Sequence, residues 1–233
     1  DISNRAKRKN GKTFFQYINK VKKLFVSFLL AGLFYNSCAQ EKSSGTQQDL
    51  QPISVNEKNV HKAYFASGCF WCVEAIYESL IGVIEVTSGY SGGDTNNPTY
   101  GLVNTKLTGH AETIEVVYNP SEISFSNLLD VYFGSQNIDQ INGQGPDRGP
   151  QYRSIIFYQN NKQKTIIESK INEIESENNL KVAAEVYPFI KFWVAENYHQ
   201  NFKKNNPNHP YIKNVSNPRF ENFKFKFEDL IKD

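Results

Sequence analysis

The chain has 233 residues, of which 39% are hydrophobic and 14% are aromatic. This is enough apolar material for one well-packed domain with an N-terminal appendage, and it is short for two full domains. The formal net charge is only +2, and much of the basic excess lies between Arg5 and Lys23. The composition therefore gives no indication of a nucleic-acid partner.

The N-terminal segment has the pattern of an export signal. Lys20, Lys22 and Lys23 precede an apolar run over residues 24–35, and about 12 residues are too few to span a bilayer, which takes about 20. Cys38 follows the run beside small residues, as does the lipid-attachment cysteine of bacterial lipoproteins; the alternative is a plain secretory signal with an incidental Cys38.

Three segments are therefore predicted along the chain. Residues 1–38 direct export in a bacterium, either to the periplasm or to a membrane through a lipid anchor. Residues 39–60 form a polar tether rich in Gln, Ser, Glu, Asp and Lys, and residues 61–233 form the folded domain.

The predicted domain alternates between strand and helix patterns. Residues 62–67 and 83–90 are predicted as strands, and residues 70–80 as a helix, with Ile76 and Leu80 one turn apart. The next strand, over residues 113–118, stops before Pro120, and Ser124 then opens a helix that ends at Gly134. A strand over 154–158, a helix over 163–177 and a strand over 182–187 follow.

This order predicts an α+β fold, a two-layer sandwich with a ferredoxin-like βαβ core. Helices are expected to pack against one sheet. The tail after Tyr198 is rich in Asn, Pro, Lys and Phe, and it is predicted to be irregular.

Two cysteines, Cys69 and Cys72, carry the strongest chemical signal in the predicted domain. Gly68 lies at a strand-to-helix turn, where backbone amides and the helix dipole stabilise a thiolate, so Cys69 is a candidate nucleophile. Cys72 lies one helical turn further on, where it could form a disulfide with Cys69 if that turn opens. Two alternatives stay open: a pair of buried, apolar-like cysteines, and a zinc site, although only His61 and His110 could add ligands.

Six short motifs occur in the segment 64–202 in a fixed order. They are Gly68-Cys-Phe-Trp-Cys72, Ser88-Gly-Tyr-Ser-Gly-Gly93, Pro98-Thr-Tyr100, Gly109-His-Ala-Glu112, Asp147-Arg-Gly-Pro-Gln-Tyr-Arg-Ser154 and Tyr198-His-Gln200. As an ordered set they resemble the class A peptide methionine sulfoxide reductases, and residues 208–216 resemble the ending of one branch of that family. The resemblance implies a monomeric enzyme, without cofactor or metal, that reduces the S epimer of methionine sulfoxide in peptides, in proteins or in free form.

The resemblance also implies the central chemistry. Cys69 attacks the sulfoxide sulfur, and Glu112 supplies the proton that the departing oxygen needs. A carboxylic acid can donate that proton near neutral pH only if its pKa is raised, which apolar neighbours do by desolvation. By itself, a glutamate such as Glu112 would more often be a solvated charge.

Five further residues match positions of the family's substrate pocket. Tyr100 and Tyr152 are implied to hydrogen-bond the sulfoxide oxygen, and Asp147 to support that network. Phe70 and Trp71 are implied to surround the S-methyl group. Taken singly, such aromatic residues more often serve packing than catalysis.

The resolving step follows from the cysteine count. After the reduction Cys69 is left as a sulfenic acid, and Cys72 is predicted to condense with it, since no cysteine follows Cys72 in the chain. Cys38 is a remote second candidate. The resulting disulfide needs an external dithiol, which by analogy with the family is a thioredoxin-like protein.

Two other classes of function compete with this interpretation. A thioredoxin-like disulfide oxidoreductase would use the same cysteine pair without needing Glu112, and a non-catalytic, tethered binding module would use the aromatics as a ligand groove. His110 and His199 are predicted to be structural hydrogen-bonding residues. Asn104, where relatives commonly carry a cysteine, is not assigned to catalysis.

Overall fold

The structure is a computed structural model, and it describes residues 60–232. The predicted export segment with Cys38, and the predicted tether up to residue 59, lie outside the described residues. No helix within residues 60–232 is long and apolar enough to cross a membrane.

The centre of the domain is a six-stranded sheet with the strand order β7-β6-β1-β3-β2-β8. Its strands are β1 (His61–Ala66), β2 (Val83–Ser91), β3 (Ala111–Tyr118), β6 (Ile155–Tyr158), β7 (Glu185–Pro188) and β8 (Trp193–Val194). In the order β6, β1, β3, β2, each strand runs antiparallel to its neighbour, which is the arrangement of the predicted ferredoxin-like core. Strand β7 pairs parallel to β6, and β8 pairs antiparallel to β2. A separate hairpin consists of β4 (Gly143–Gln144) and β5 (Asp147–Arg148).

The helices occupy the connections between these strands. They are α1 (Phe70–Glu78), α2 (Tyr100–Asn104), α3 (Phe125–Gly134), α4 (Asn161–Asn178), α5 (Phe202–Asn205) and α6 (Asn217–Lys226). Short 3₁₀ turns cover Pro150–Tyr152, Asn197–His199 and Glu228–Leu230, and a π-helical turn covers Ile212–Ser216. Helix α3 starts as the sequence predicts, because Ser124 and Asn127 form a reciprocal capping box.

The main core lies between the sheet and helices α1 and α3. Phe65 of β1 stacks on Tyr77 of α1, and Tyr132 of α3 donates a hydrogen bond of 3.0 Å to the Ala66 carbonyl. The opposite sheet face is covered by a smaller cluster in which Tyr64 stacks on Phe189 with ring centroids 3.8 Å apart. The main core holds the strand-to-helix turn before α1 in place.

The predicted mixed α and β fold with helices packed on one sheet is confirmed, and most predicted elements differ from the observed ones only at their ends. The tail, which the sequence predicts to be irregular, contains several short helices between residues 202 and 230, joined by turns. Phe220, Phe223 and Phe227 have helical spacing and pack inward, whereas Phe225 is 87% exposed. The alternation of Phe with Lys in the sequence conceals this helical face.

Candidate active site

The turn between β1 and α1 places Cys69 at the end of a helix. Gly68 has φ +80°, a conformation that favours glycine, and a Cβ on it would lie 2.5 Å from the Gln144 Cβ. Cys69 is the N-cap residue of α1, and its side chain makes no capping hydrogen bond. The thiol therefore lies beside the positive end of the helix dipole, and its sulfur does not cap the helix.

The two thiols of this turn form one buried unit. Cys69 and Cys72 are both free and buried. Burial raises the pKa of Cys69 well above its ordinary value, whereas a hydrogen bond from Cys69 lowers the pKa of Cys72 to about 6. We take the pair to titrate as a unit, because a thiol beside a thiolate shares its proton and stabilises the single charge, and a second charge would be repelled.

Glu112 is the buried acid next to this pair. It lies in β3 between β1 and β2, is 2% exposed, and its Oε2 accepts a hydrogen bond of 3.0 Å from the Phe70 amide at the start of α1. Burial raises the pKa of Glu112 to about 8, which outweighs the lowering effect of that hydrogen bond. The carboxyl group is therefore protonated near neutral pH and can act as an acid.

Two tyrosines face the same space. Tyr100 opens α2, and its ring centroid lies 4.5 Å from that of His199. Tyr152 ends the 3₁₀ turn after β5. Burial raises the pKa of both phenols, and the charges of Glu112 and Cys69 add to the increase. Both hydroxyls thus stay protonated and can donate hydrogen bonds to an oxygen held between them and Glu112.

Asp147, which the sequence predicts to support this network, lies at the same site. Its Oδ2 accepts a hydrogen bond of 2.5 Å from the Tyr211 hydroxyl. Burial raises the pKa of Asp147. Its charge also adds to the raised pKa of Glu112 and of Tyr152, so Asp147 acts on the predicted network through its field.

An aromatic wall forms the other side of the site. Phe70 is 1% exposed and packs against His199, with ring centroids 4.9 Å apart. Trp71 stacks on Phe202 at 3.6 Å with an interplanar angle of 8°, and its Nε1 donates a hydrogen bond of 3.1 Å to His199 Nδ1. Burial lowers the pKa of His199, which keeps the ring neutral and able to accept that bond. The predicted hydrogen-bonding role of His199 agrees with this geometry.

The site thus combines a thiol pair, a protonated acid, phenolic donors and an apolar wall. Comparison with known proteins identifies the family to which the chain belongs. The family model for peptide methionine sulfoxide reductase matches residues 61–230. The chain belongs to this family.

Relatives of the reductase match over most of their length. The chain is 44% identical over 171 residues to the peptide methionine sulfoxide reductase MsrA of Pasteurella multocida. The match covers 73% of this chain and 98% of the relative. The chain is also 42% identical over 170 residues to the MsrA of Saccharolobus solfataricus, and this match covers 73% of this chain and 96% of the relative.

Solved structures agree with the fold. The reduced form of Mxr1 from Saccharomyces cerevisiae matches with a TM-score of 0.62 and 28% identity, covering 68% of this chain and 92% of that chain. Methionine sulfoxide reductase A of Corynebacterium diphtheriae matches with a TM-score of 0.59 and 28% identity, covering 65% and 77%. The chain is therefore an oxidoreductase that reduces methionine sulfoxide, and the thioredoxin-like alternative does not apply.

Several residues that shape the site of the reductase are not predicted from the sequence. Tyr211 contacts both Cys72 and Asp147. Glu196 accepts hydrogen bonds from the Tyr90 hydroxyl and the Tyr100 amide. The segments 88–93 and 198–200 are matched motifs and pointed to this region, but Tyr211 had no local signal beyond the family-like ending.

Two polar side chains of the reductase, the buried Glu74 and the half-buried Arg219, hold the C-terminal segments against α1. Glu74 Oε1 accepts a hydrogen bond of 3.0 Å from the Asn201 amide, which fixes the chain just before Phe202 and so supports the stack on Trp71. Arg219 donates hydrogen bonds to Ser67 and to the Ser135 carbonyl. Among the described residues, no group of three or more His, Cys, Asp or Glu side chains is arranged to hold a metal ion.

Proposed function

We propose that the reductase acts on the S epimer of methionine sulfoxide through Cys69, with Glu112 as the proton donor. The observation that carries this assignment is the buried Glu112 carboxyl group, which contacts the first amide of α1, directly after Cys69. Sulfoxide oxygen leaves poorly as oxide, so a neutral acid at this position supplies what the reaction requires.

The first half-reaction transfers oxygen from one sulfur to another. The Cys69 thiolate attacks the sulfoxide sulfur while Glu112 protonates the oxygen, and the S–O bond to the substrate is replaced by one to Cys69. The products are methionine and the Cys69 sulfenic acid. The proton lost by the Cys69 thiol balances the one gained by the oxygen.

Stereochemistry follows from the two unlike sides of the site. The rings of Phe70 and Trp71 contact the S-methyl group, and the hydroxyls of Tyr100 and Tyr152 donate hydrogen bonds to the oxygen, with the Asp147 charge behind them. Only one sulfur configuration presents both groups correctly to Cys69. The family resemblance assigns the S configuration.

Cys72 is the proposed resolving cysteine. It is already beside Cys69, and no other cysteine lies in residues 60–232. The resulting Cys69–Cys72 disulfide would be reduced by an external dithiol, which we propose to be a thioredoxin-like protein.

Export is a further proposal that depends on the sequence alone. Lys20, Lys22 and Lys23 before the apolar run 24–35 support it, and Cys38 is the candidate lipid-attachment site. Cell fractionation of the native bacterium and mass spectrometry of Cys38 test this proposal. Recovery of the unprocessed chain from the cytoplasm would contradict it.

The decisive experiment uses separated S and R epimers of a methionine sulfoxide peptide. With a dithiol as reductant, we expect turnover of the S epimer alone, and comparable turnover of the R epimer would contradict the proposal.

A second experiment tests the resolving cysteine with thioredoxin, thioredoxin reductase and NADPH as the reducing system. Under these conditions Cys72→Ser should release one methionine per enzyme and then stop. Cys69→Ser is the matched control and should release none, whereas sustained turnover by Cys72→Ser would exclude Cys72 as the resolving residue.

A further inference from the structure

The C-terminal segment of the reductase packs around Cys72. Tyr211 lies 139 positions later in the chain, yet its hydroxyl is 3.7 Å from Cys72 Sγ. The Ser216 hydroxyl, at the end of the π-helical turn, is buried and has no hydrogen-bond partner within the described residues. A buried hydroxyl without a partner is costly, so its position needs an explanation.

Cys72 provides that explanation. The largest effect that lowers the pKa of Cys72 is its hydrogen bond with Cys69. The thiolate form is favoured further by the positive charge of Arg219 and by the hydroxyls of Ser216 and Tyr211. Arg219 is held in place by hydrogen bonds of 2.8 Å and 3.0 Å to Ser67, one residue before the glycine of the catalytic turn. Two hydroxyls and one fixed cation thus act on the same sulfur.

We propose that Tyr211, Ser216 and Arg219 form a thiolate site for Cys72 that accelerates the resolving step. This inference rests on the proposed role of Cys72. It assigns to the cysteine-free C-terminal segment a positive function, namely activation of an internal resolving thiol.

Tyr211 also connects Cys72 to a proton acceptor. A tyrosine hydroxyl has one hydrogen, and in Tyr211 it is donated to Asp147 Oδ2 at 2.5 Å, so its oxygen can accept the Cys72 S–H. When that thiol proton moves to Tyr211, the Tyr211 proton can pass to Asp147. Tyr211 then donates its hydrogen bond to the new thiolate.

The resolving step balances on this route. The Cys72 thiolate attacks the Cys69 sulfenic sulfur, the S–S bond forms and the S–O bond breaks. The leaving hydroxide takes up the proton that Cys72 gave to Asp147, and it departs as water. The Cys72 sulfur is oxidised and the Cys69 sulfur is reduced, so no outside oxidant or reductant is needed.

The test separates the two half-reactions in single-turnover experiments with the full chain. Methionine release reports the first half, and loss of the second free thiol reports disulfide formation. Ser216→Ala should slow disulfide formation by about tenfold or more and change methionine release by a smaller factor, because it removes one donor to the Cys72 thiolate, which is coupled to Cys69. Tyr211→Phe should slow disulfide formation by a larger factor than it slows methionine release, since the Tyr211 hydroxyl also influences Cys69.

A second readout follows the Cys72 thiolate itself. In a Cys69→Ser background, Ser216→Ala should slow alkylation of Cys72 by iodoacetamide at pH 7 by severalfold, and Ser216→Thr, which keeps the hydroxyl, should restore the rate. Ser176→Ala on α4 and Tyr187→Phe on β7 are matched controls for the loss of a hydroxyl at positions outside the proposed Cys72 site.

Two results would overturn the inference. One is an unchanged rate of disulfide formation in both variants, and the other is an equal slowing of both half-reactions, which would indicate a general structural defect. Failure of the proposed function is distinguishable, because the unaltered enzyme would then form no Cys69–Cys72 disulfide at all.

Discussion

Replacing Glu112 by Gln should abolish most activity and at the same time stabilise the fold. Gln keeps the shape of the protonated acid and an oxygen for the Phe70 amide, whose hydrogen bond to Glu112 is 3.0 Å long. It cannot donate the proton, so we expect methionine release to fall by roughly 10²- to 10⁴-fold.

The gain in stability follows from the raised pKa of Glu112. That pKa is about 8 in the folded chain against 4.5 ordinarily. The native state therefore keeps a proton that the unfolded state loses, and the free energy of unfolding falls as pH rises from about 4.5 to about 8, by about 1.4 kcal/mol per pH unit. Gln removes this cost, so its stabilising effect should grow to about 3 kcal/mol at pH 7 and about 5 kcal/mol above pH 8.

Urea unfolding at pH 5, 7 and 8.5, followed by tryptophan fluorescence, measures this difference. Glu85→Gln, at an exposed position on the neighbouring strand β2, is the matched control for the chemical change. A stability difference between Glu112→Gln and the unaltered chain that stays constant across these pH values would refute the raised pKa. Full activity of Glu112→Gln would refute its role as the acid.

Three more predictions follow from the same site. The single-turnover rate of methionine release should rise with pH through about 6, where the Cys69–Cys72 thiol pair loses one proton. The rate should fall again through about pH 8, where Glu112 loses the proton that it donates. A rate that still rises at pH 9 would contradict this assignment. Gly68→Ala should destabilise the fold by about 1–3 kcal/mol, measured by urea unfolding, because φ is +80° there and a Cβ would meet Gln144; an unchanged free energy of unfolding would show that the turn can rearrange. Phe202→Leu removes the ring stacked on Trp71 and should raise KM for a sulfoxide peptide severalfold with a smaller change in kcat; a loss confined to kcat would show that the stack does not serve substrate binding.

Local patterns in the sequence determined most of the elements and the central thiol. The alternation over residues 113–118 and the Ser124 cap predict β3 and α3, because strand periodicity and capping depend on a few neighbouring residues. Gly68 before Cys69 predicts a nucleophile at a helix start for the same reason. Naming Glu112 and the tyrosines, by contrast, required resemblance to a family.

The pKa values and contacts of these residues, in contrast, depend on tertiary packing. A glutamate in a strand pattern carries no sign of being 2% exposed, and it is the position of β3 between β1 and β2 that buries Glu112 and raises its pKa. The partner of Trp71 lies 128 positions away, and the hydroxyl beside Cys72 lies 139 positions away. Such contacts depend on how the tail packs over α1, which no local periodicity encodes, and they determine the environment of both cysteines.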